Sequence, residues 1–484
     1  MVFNSYFFIL LFLPLTFFGY FMINRASHTG GKVWLIATSL WFYGYFNPFY
    51  LPIMIGSILF NYLAGKLIIK KHQISYRKGL LSLAIIANLG ILFYYKYFDF
   101  FVENVNQIFK TNFVLHHLLL PLAISFFTFK QIAYLVDCYR DEVLTYTLID
   151  YTLFVIFFPQ LIVGPILLHD DLIPQFLDQA KKRINYENVA KGLLAFSFGL
   201  AKKVILADTF GRAVDWGYGN VGALDSTSAL LIMLFYTFQI YFDFSGYCDM
   251  AIGLGLLFNI EITKNFDSPY RALSVTDFWK RWHITLTRFF RRYLYIPLGG
   301  NRKGKARMYL NFFLVFLVSG LWHGANFTFL LWGAIHGIFF VFTRMFQKQI
   351  DRIYPAINWF FTFLFVNVTW IYFRADSVGQ ANYLIKKILE FDFKPISYDL
   401  KVIFYLPEAI MANRLMIPAV FSDYQIYLWL MTAFSLFAVL FMKNISERLK
   451  AFKPSALTAW VTAFLLIWGI ISFSEVATFI YVGF

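Results

Sequence analysis

Charge is the first thing that this sequence has little of. Only 14% of its 484 residues are charged, whereas 60% are hydrophobic, and a typical soluble domain carries roughly 25% charged residues. A chain of this composition cannot cover itself with polar surface in water, but it can present its apolar side chains to lipid. The composition therefore predicts an integral membrane protein and excludes an ordinary soluble enzyme.

Cysteine is also scarce, and long polar segments are missing. The chain holds two cysteines, Cys138 and Cys248, both beside apolar runs, which excludes a disulfide framework and a cysteine-based metal site. It shows no paired-histidine zinc motif, glycine-rich phosphate loop or lipase-type serine elbow, so we expect no metal and no permanently bound cofactor. Since no polar linker divides the chain, we predict one integral membrane domain over residues 1–484.

The net charge of +15 would suggest nucleic acid as the partner of a soluble protein. Here the basic residues cluster in short loops between apolar runs, where they act as topology signals, so we expect no nucleic acid partner. The loops 25–32, 70–78 and 181–191 are basic and 99–112 is not. The positive-inside rule then places the N-terminus outside and these basic loops in the cytoplasm. Residues 2–23 lack a basic n-region and a cleavage site, which indicates a retained first span.

The apolar runs predict an all-α polytopic fold. A bilayer core needs about 20 apolar residues per helix, and several runs are short or carry polar breaks. We therefore predict about eleven transmembrane helices plus re-entrant or interfacial helices. Loop charge implies that one segment within 114–168 does not cross fully, and the mixed segment 375–423 is expected to form an external or interfacial insert. The candidate runs are 6–23, 33–46, 51–69, 80–98, 114–136, 152–168, 189–207, 229–247, 308–322, 328–346, 359–373, 427–442 and 457–480.

His323 is the leading candidate for chemistry among the eight histidines. It lies between two apolar runs, and a titratable group at membrane depth usually faces a cavity and has a function there. Gly320 and Gly324 flank it and permit a close backbone approach or a helix break, while Trp322 can wall a narrow pocket. The alternative is a core histidine that is hydrogen-bonded to a neighbouring helix. His336, further along an apolar helix, suits packing or hydrogen bonding better than chemistry. The remaining histidines outside the 277–295 segment are expected to be solvated or interfacial: His28, His72, His116, His117 and His169.

The segment 277–295 forms an amphipathic pattern on a helical wheel at about 100° per residue. Its aromatic residues oppose the basic ones, which predicts a single helix lying at an interface, and His283 sits at the edge of the apolar sector. The basic face binds either lipid headgroups or the phosphates of an anionic acyl donor such as coenzyme A. The two interpretations are compatible. The basic residues are Lys280, Arg281, Arg288, Arg291 and Arg292, followed by Arg302, Lys303, Lys305 and Arg307.

Two carboxylates, Asp243 and Asp249, occur in an aromatic run upstream. Buried carboxylates need cationic partners, and we expect Arg271, Lys280 or Arg281 to supply them. Structural ion pairing near the cavity is a better explanation than direct catalysis.

Several motifs together resemble the bacterial membrane-bound O-acyltransferases, in particular the branch with the membrane subunits of alginate and peptidoglycan O-acetyltransferases. The resemblance covers nearly the whole chain in order, and neither histidine motif departs from the pattern. The matching segments are 125–129, 158–161, 241–249, 265–270, Asp277-Phe278-Trp279-Lys280-Arg281-Trp282-His283, 293–302, Leu321-Trp322-His323-Gly324-Ala325-Asn326, 332–337 and 373–375.

The resemblance implies a helical bundle with a central tunnel in the bacterial inner membrane. It implies that His323 is the catalytic histidine and that His283 is the second motif histidine. A cytoplasmic thioester, expected to be acetyl-CoA, then donates its acyl group across the membrane, and a secreted or membrane-anchored SGNH-hydrolase-like acetyltransferase completes the transfer to a polysaccharide hydroxyl. Residues expected to line the tunnel are Trp282, Trp322, Asn326, Tyr241 and Asp243.

Other functions remain open at this point. Within the family the alternative is D-alanyl transfer to teichoic acid from a carrier protein. A polysaccharide transporter or channel is a different class, but the chain lacks the internal duplication that many transporters show. A scaffold for a secretion complex would leave both histidine motifs unexplained.

Overall fold

The computed structural model describes residues 1–70, 73–143, 145–405 and 424–473, and no strand occurs within these ranges. The α-helices in chain order are α1 (Leu13–Ala26), α2 (His28–Gly44), α3 (Leu51–Lys70), α4 (Ile74–Leu92), α5 (Phe98–Phe109), α6 (Ile124–Tyr139), α7 (Leu148–Ile156), α8 (His169–Leu177), α9 (Tyr186–Ala201), α10 (Asp208–Gly219), α11 (Ser226–Leu257), α12 (Val275–Arg281), α13 (Ile284–Phe290), α14 (Lys305–His323), α15 (Phe327–Met345), α16 (Gln347–Ile350), α17 (Pro355–Arg374), α18 (Val378–Leu389), α19 (Tyr398–Ile403), α20 (Tyr424–Phe441), α21 (Ile445–Lys450) and α22 (Ala456–Ile471). Four π-helical segments interrupt or extend them, at Phe8–Phe12, Phe93–Tyr97, Lys202–Ala207 and Arg291–Tyr295.

Helix α11 is the central element of the bundle, and nearly all of its side chains are buried. It packs closely on α9 because glycines face glycines at two levels. A Cβ on Gly199 would lie 2.5 Å from the carbonyl oxygen of Gly246, and a Cβ on Gly253 would lie 2.5 Å from that of Gly192. In a membrane, where lipid is as apolar as leucine, such small-residue seams let helices approach and associate.

Helices α14 and α15 form an antiparallel pair joined by a very short connection. A Cβ on Gly333 would lie 2.5 Å from the carbonyl oxygen of Phe316, so the two backbones touch there. The side chain of Asn326 accepts a hydrogen bond from the backbone nitrogen of Thr328 at 3.0 Å and caps α15. This connection places His323, the last residue of α14, inside the bundle.

Within the described residues, seven helical stretches are long and apolar enough to cross a membrane: Phe8–Ala26, Pro48–Lys70, Ile74–Phe109, Ser226–Leu257, Phe327–Met345, Pro355–Arg374 and Tyr424–Phe441. The all-α, multi-pass class is confirmed, whereas the count of about eleven spans and the central tunnel stay predictions. Neither apolar run between 114 and 168 is one continuous helix, because α6 begins only at Ile124 and α7 ends at Ile156.

The described part of the 375–423 segment, residues 375–405, packs on the bundle, and its external or interfacial position stays a prediction. Helix α18 buries Ala381 and Leu384 completely, and Leu400 of α19 is equally inaccessible. The backbone nitrogen of Ser226 also donates to the carbonyl oxygen of Asp392 at 3.0 Å. Moderate hydrophobicity here reflects amphipathic helices that pack on the bundle, which hydropathy alone does not distinguish from an insert. Residues 406–423 lie outside the described ranges.

Candidate active site

His323 ends α14 and is only 3% exposed. Its ring is enclosed by aromatic rings, with centroid distances of 4.8 Å to Trp322, 5.3 Å to Trp332 and 5.1 Å to Phe373. At Gly324 the backbone turns extended and the helix stops. The imidazole thus lies at a helix terminus in a pocket whose walls are apolar, where electrostatic interactions are strong because water is excluded.

Two consecutive side chains of the π-helical segment Phe93–Tyr97 hold the end of α14. The Nζ of Lys96 donates to the carbonyl oxygen of Trp322 at 2.6 Å and to that of His323 at 3.3 Å. The hydroxyl of Tyr97 donates to the carbonyl oxygen of Leu321 at 2.9 Å. The last carbonyls of a helix lack intrahelical partners and carry the negative end of the helix dipole, so a lysine suits this position. We call this pair the Lys96–Tyr97 clamp.

His283 lies at a break between two short helices, and the expectation of one continuous amphipathic helix over 277–295 was wrong. Helix α12 ends at Arg281 and α13 begins at Ile284, with His283 between them in the left-handed conformation at φ 47°. The backbone nitrogen of Ile284 donates to the carbonyl oxygen of Asn265 at 3.0 Å. Pairing with a separate segment interrupts the helix, and a wheel drawn from sequence does not detect it.

Asn265 fixes the tautomer of His283. Its Oδ1 accepts hydrogen bonds from the backbone nitrogen of Thr285 at 3.2 Å and from the Thr285 hydroxyl at 2.9 Å. A backbone nitrogen can only donate, so this atom is an oxygen, and the His283 Nδ1 that lies 3.2 Å from it must carry the proton. The Nε2 of His283 is then an acceptor, and it has no hydrogen-bond partner among the described residues.

Trp322 lies beside both histidines. Its ring centroid is 4.8 Å from that of His323 and 6.2 Å from that of His283, while the two imidazoles are 6.5 Å apart. The Nε1 of Trp322 is buried and, like His283 Nε2, is not hydrogen-bonded within the described ranges. Buried polar groups are normally paired, so this donor and this acceptor are both open to a ligand at the site.

A cavity of about 490 Å³ lies against α14 one helical turn before His323, and neither His283 nor His323 lines it. Trp279, Phe316 and Ser319 lie along its wall, and Ser319 is four residues before His323, on the same face of α14. Four exposed cations line the cavity, and none makes an ion pair with a described residue: Lys280, Arg291, Arg302 and Arg344. We call this cavity the cationic pocket.

The other three predicted donor-binding residues are engaged in ion pairs. Arg281 contacts Asp277 at 2.9 Å, and Arg288 donates to Asp171 at 2.9 Å. Arg292 reaches Asp170 at 2.8 Å. Burial raises the pKa of Asp170, but the hydrogen bond and positive charge of Arg292 outweigh it and hold that pKa below its ordinary value. Of the five predicted cations, only Lys280 and Arg291 therefore lie in the pocket without an ion pair.

The structure places the residues predicted to line the tunnel in different surroundings. Trp322 touches both histidine rings, whereas Trp282 is buried against Phe278 and Trp370 at 5.6 Å and 5.0 Å. Tyr241 lies with its ring 5.8 Å from the Nζ of Lys202. Asn326 caps α15, and Asp243 is ion-paired. Trp322 is therefore the member of this set that the structure brings to the histidines.

The carboxylates of α11 are ion-paired, but the expected partners were wrong. Asp249 binds Lys202 at 2.6 Å and Asp243 binds Lys203 at 2.5 Å, both lysines belonging to the π-helical segment Lys202–Ala207. Arg271 instead donates to the carbonyl oxygen of Met442 at 2.6 Å, and Lys280 and Arg281 occupy the places described above. Helix α9 packs on α11 where Gly199 faces Gly246 and Gly192 faces Gly253, a contact that we call the glycine seam. The segment that follows α9 therefore supplies the lysines that pair with the carboxylates of α11.

His169 is not a solvated histidine, and that expectation was wrong. It is 1% exposed, with Nε2 3.0 Å from Asp137 Oδ2 and Nδ1 3.1 Å from the Tyr146 hydroxyl. His116 and His117 are exposed, and His72 lies outside the described residues. His336 is buried, accepts from Trp279 Nε1 at 3.1 Å and lies 3.0 Å from the Thr369 hydroxyl, in agreement with a hydrogen-bonding role.

Sequence reasoning missed Lys96, Tyr97 and Asn265 as parts of the site. Lys96 had a readable signal, since it is a lone cation among aromatic residues in an apolar run, and an ionisable residue in such a run is a functional candidate by default. Asn265 begins the matching segment 265–270, but its role depends on the three donors that the fold brings to one oxygen.

The fold and the site define an integral membrane protein with two buried histidines beside a cationic pocket. Comparison with known proteins gives the particular family. A family model described as MBOAT, membrane-bound O-acyltransferase family, matches residues 138–375. The chain is 44% identical over 417 residues to the peptidoglycan O-acetyltransferase of Helicobacter pylori, covering 80% of this chain and 79% of that relative.

Two further relatives match more distantly. The probable alginate O-acetylase AlgI of Pseudomonas aeruginosa is 40% identical over 389 residues, which cover 79% of this chain and 73% of that protein. The teichoic acid D-alanyltransferase of Bacillus subtilis is 29% identical over 250 residues, which cover 48% of this chain and 61% of that protein. The chain belongs to the membrane-bound O-acyltransferase family. It is accordingly a multi-pass membrane acyltransferase, as the motifs predicted.

Proposed function

We propose that this enzyme takes an acetyl group from cytoplasmic acetyl-CoA and passes it across a bacterial inner membrane for O-acetylation of an extracytoplasmic polysaccharide. The observation that carries the proposal is the cationic pocket beside His323. Its relatives named for peptidoglycan and alginate acetylation support the class of acceptor. A secreted or membrane-anchored SGNH-hydrolase-like acetyltransferase would complete the transfer to the sugar hydroxyl.

The donor assignment rests on charge and shape. Coenzyme A carries several phosphate charges, and arginine and lysine bind phosphates through charge-assisted hydrogen bonds. Lys280, Arg291, Arg302 and Arg344 supply four cations that are not neutralised by a described carboxylate. The aromatic wall at Trp279 and Phe316 suits the uncharged pantetheine arm, and the thioester would then lie near Ser319, one helical turn from His323.

The chemical step is acyl transfer from sulfur to oxygen. The acceptor hydroxyl gives its proton to a histidine, its oxygen bonds to the thioester carbonyl carbon, the carbon–sulfur bond breaks, and the thiolate takes up the proton. We assign His323 as the general base or the transient carrier of the acyl group. Histidine suits this task because its ordinary pKa lies close to neutral pH.

His283 and Trp322 receive complementary roles. With Nδ1–H bound to Asn265, the Nε2 of His283 accepts a hydrogen bond, so it would position the acceptor hydroxyl and not polarise the carbonyl. The Nε1–H of Trp322 is a donor and would hydrogen-bond the carbonyl oxygen as negative charge develops there. Both atoms lack a hydrogen-bond partner among the described residues.

The test is acetyl transfer by purified protein in nanodiscs, with labelled acetyl-CoA and the secreted partner. His323→Ala is expected to lower the rate by roughly 10²- to 10⁴-fold, the usual contribution of general-base assistance. His116→Ala, which removes an exposed histidine, is the matched control and should remain active. Full transfer by His323→Ala would refute the catalytic assignment.

The same assay separates the competing functions. Transfer only from an acylated carrier protein would assign the chain to D-alanyl-type chemistry, in line with its more distant relative. No transfer from either donor would favour a polysaccharide transporter, for which His323 is not required. A transporter would also continue to export polysaccharide when His323 is replaced.

A further inference from the structure

A second crevice, of about 430 Å³, shares no lining residue with the cationic pocket. It is formed by α9, α11, α20 and α22, and its walls are almost entirely apolar. Leu430 and Phe434 are 55% and 49% exposed, so the crevice opens to the surface that a bilayer covers. Its volume lies within the range of roughly 300–1,000 Å³ that small-molecule sites occupy.

One end of the crevice is basic. Lys443 and Arg448 line it there, together with Lys202. Lys202 is neutralised by Asp249 at 2.6 Å, but neither Lys443 nor Arg448 has an ion-pair partner among the described residues. The Nε of Arg448 donates to the carbonyl oxygen of Lys443 at 3.1 Å, and its guanidinium lies 4.7 Å from the centroid of the Phe198 ring.

Two carboxylates, Asp249 and Glu447, lie near Arg448, and both are committed elsewhere, Asp249 to Lys202 at 2.6 Å. Glu447 accepts from the backbone nitrogen of Asn444 at 3.0 Å and completes the capping box of α21. The two cations therefore stay available to an anion. They lie on the connection 442–455 between α20, a candidate membrane span, and the apolar helix α22. A polar connection between two apolar helices is suited to headgroup level.

We propose that the crevice binds one anionic phospholipid of the surrounding bilayer. Its phosphate would contact Lys443 and Arg448, and an acyl chain would lie along Met431, Phe434 and Leu465. The order of the lining, cationic at the connection and apolar along the helices, matches the order of a phospholipid from headgroup to tail. Basic pockets between transmembrane helices on the cytoplasmic side are known to suit anionic headgroups. This proposal is independent of the donor assigned above.

The bound lipid would also stabilise the segment that positions His283. The Nδ2 of Asn444, next to Lys443, donates to Asp267 Oδ1 at 3.1 Å. Asp267 lies two residues from Asn265, which holds the tautomer of His283. A headgroup that orders the 442–455 connection would thereby stabilise the segment that carries Asn265.

The test uses the full-length protein in nanodiscs of phosphatidylcholine with a minor share of phosphatidylglycerol, followed by native mass spectrometry of the lipid that stays bound. The native protein should retain phosphatidylglycerol in preference to phosphatidylcholine. Lys443→Ala combined with Arg448→Ala should reduce that retention by at least about tenfold, the effect of losing one charge-assisted contact. The control is Lys450→Ala with Lys453→Ala, which removes the same charge from the same connection at exposed positions outside the crevice.

A steric variant tests the apolar half with the cations intact. Met431→Trp fills the crevice and should also lower phosphatidylglycerol retention while the protein remains folded by size-exclusion chromatography. Equal retention by the cation variant and its control would overturn the proposal, and so would equal retention of the two lipids by the native protein. Displacement of phosphatidylglycerol by millimolar inorganic phosphate would overturn the lipid as occupant and indicate a phosphate site.

Discussion

His283 adopts a left-handed backbone conformation that residues with a side chain seldom take, at φ 47°. Such a conformation costs of order 1–3 kcal/mol and persists only where the surroundings impose it. The imposing contacts are the hydrogen bonds from Ile284, Thr285 and His283 to Asn265. The Oδ1 of Asn265 holds the protonated Nδ1 of His283. The unprotonated Nε2 is thereby left to act as an acceptor in the site.

Replacing this asparagine tests the tautomer argument. Asn265→Ala removes the acceptor and is expected to lower kcat at least about tenfold, since positioned proton transfer contributes roughly 10²- to 10⁴-fold. KM for acetyl-CoA should change little, because Asn265 lies outside the cationic pocket. Steady-state acetyl transfer measures both constants. Asn265→Asp, which keeps an acceptor of the same shape, should retain more activity than Asn265→Ala, and equal loss in the two variants would contradict the argument.

At the scale of elements, the Lys96–Tyr97 clamp joins one membrane-spanning stretch to the catalytic helix. The stretch Ile74–Phe109 contains the π-helical segment Phe93–Tyr97, and π-helical turns within helices are frequent at functional sites. Here the changed winding lets two adjacent side chains reach three consecutive carbonyls of α14. Since those carbonyls belong to residues 321–323, the clamp holds the backbone of His323 directly.

The clamp predicts a loss of turnover without a loss of donor binding. Lys96→Met keeps the length of the side chain but removes the donor, and we expect kcat to fall roughly tenfold, as loss of a charged hydrogen bond of about 1.5–3 kcal/mol would allow. KM for acetyl-CoA should stay within about twofold of native. Lys96→Arg should restore part of kcat. Lys66→Met, which removes an exposed lysine of α3, is the control. A similar fall in kcat in this variant would contradict a specific role of the Lys96–Tyr97 clamp.

The glycine seam between α9 and α11 leads to a second prediction, which concerns helix packing. Gly199→Ala places a methyl group 2.5 Å from the carbonyl oxygen of Gly246. Because this oxygen belongs to the backbone, it cannot move aside without distorting the helix. Overpacking of this kind destabilises by about 1–3 kcal/mol, so the midpoint of thermal unfolding in detergent should fall. Activity should fall too, because Phe244 of α11 packs on the His283 ring at 4.8 Å.

Gly90→Ala is the matched control for the seam. No atom lies within 4 Å of a Cβ at Gly90, and alanine is a better helix former than glycine by about 1 kcal/mol. The control should therefore unfold at the same temperature as the native protein or slightly above it. A Gly199→Ala protein that unfolds like the control would show that the seam tolerates a methyl group.

At the scale of the whole molecule, the cationic pocket is assembled from separate parts of the chain. Lys280 belongs to α12, Arg291 to a π-helical segment, Arg302 to a turn and Arg344 to the end of α15. Of the neighbouring cations, Arg281 is neutralised within α12, Arg288 by α8, and Arg292 by α6, α8 and the connection after α6. Net positive charge is thus concentrated on one face of the site although basic residues are spread along the chain.

Removing two of these cations should weaken donor binding specifically. Lys280→Met with Arg291→Met is expected to raise KM for acetyl-CoA by at least roughly 100-fold, since two charge-assisted hydrogen bonds of about 1.5–3 kcal/mol each are lost and 1.4 kcal/mol is tenfold. kcat should change much less. Raising the ionic strength should raise the native KM as well, because salt screens exposed charges. Lys305→Met, an exposed cation outside the pocket, should leave KM unchanged; an unaffected KM in the double variant would place the donor elsewhere.

Much of this protein was readable from its sequence, for a physical reason in each case. Low charge and repeated apolar runs show that the chain is surrounded by lipid. The membrane class and the all-helical fold followed from this composition and periodicity. The two histidine motifs identified the acyltransferase family because their residues are local in sequence. A lone histidine between apolar runs also marked His323 as a candidate without any knowledge of its neighbours.

Only the tertiary structure decided which charges are neutralised and which side chains meet. The ion pairs of Asp243 and Asp249 depend on the position of α9 along the axis of α11. The glycine seam between the two helices fixes that position. The helix break at His283 depends on pairing with residues 265–267, which are distant in sequence. Local periodicity carries no information about such long-range pairings. The sequence by itself thus determined the membrane, the helices and the family, whereas packing determined the tautomer of His283, the clamp on His323 and the cationic pocket.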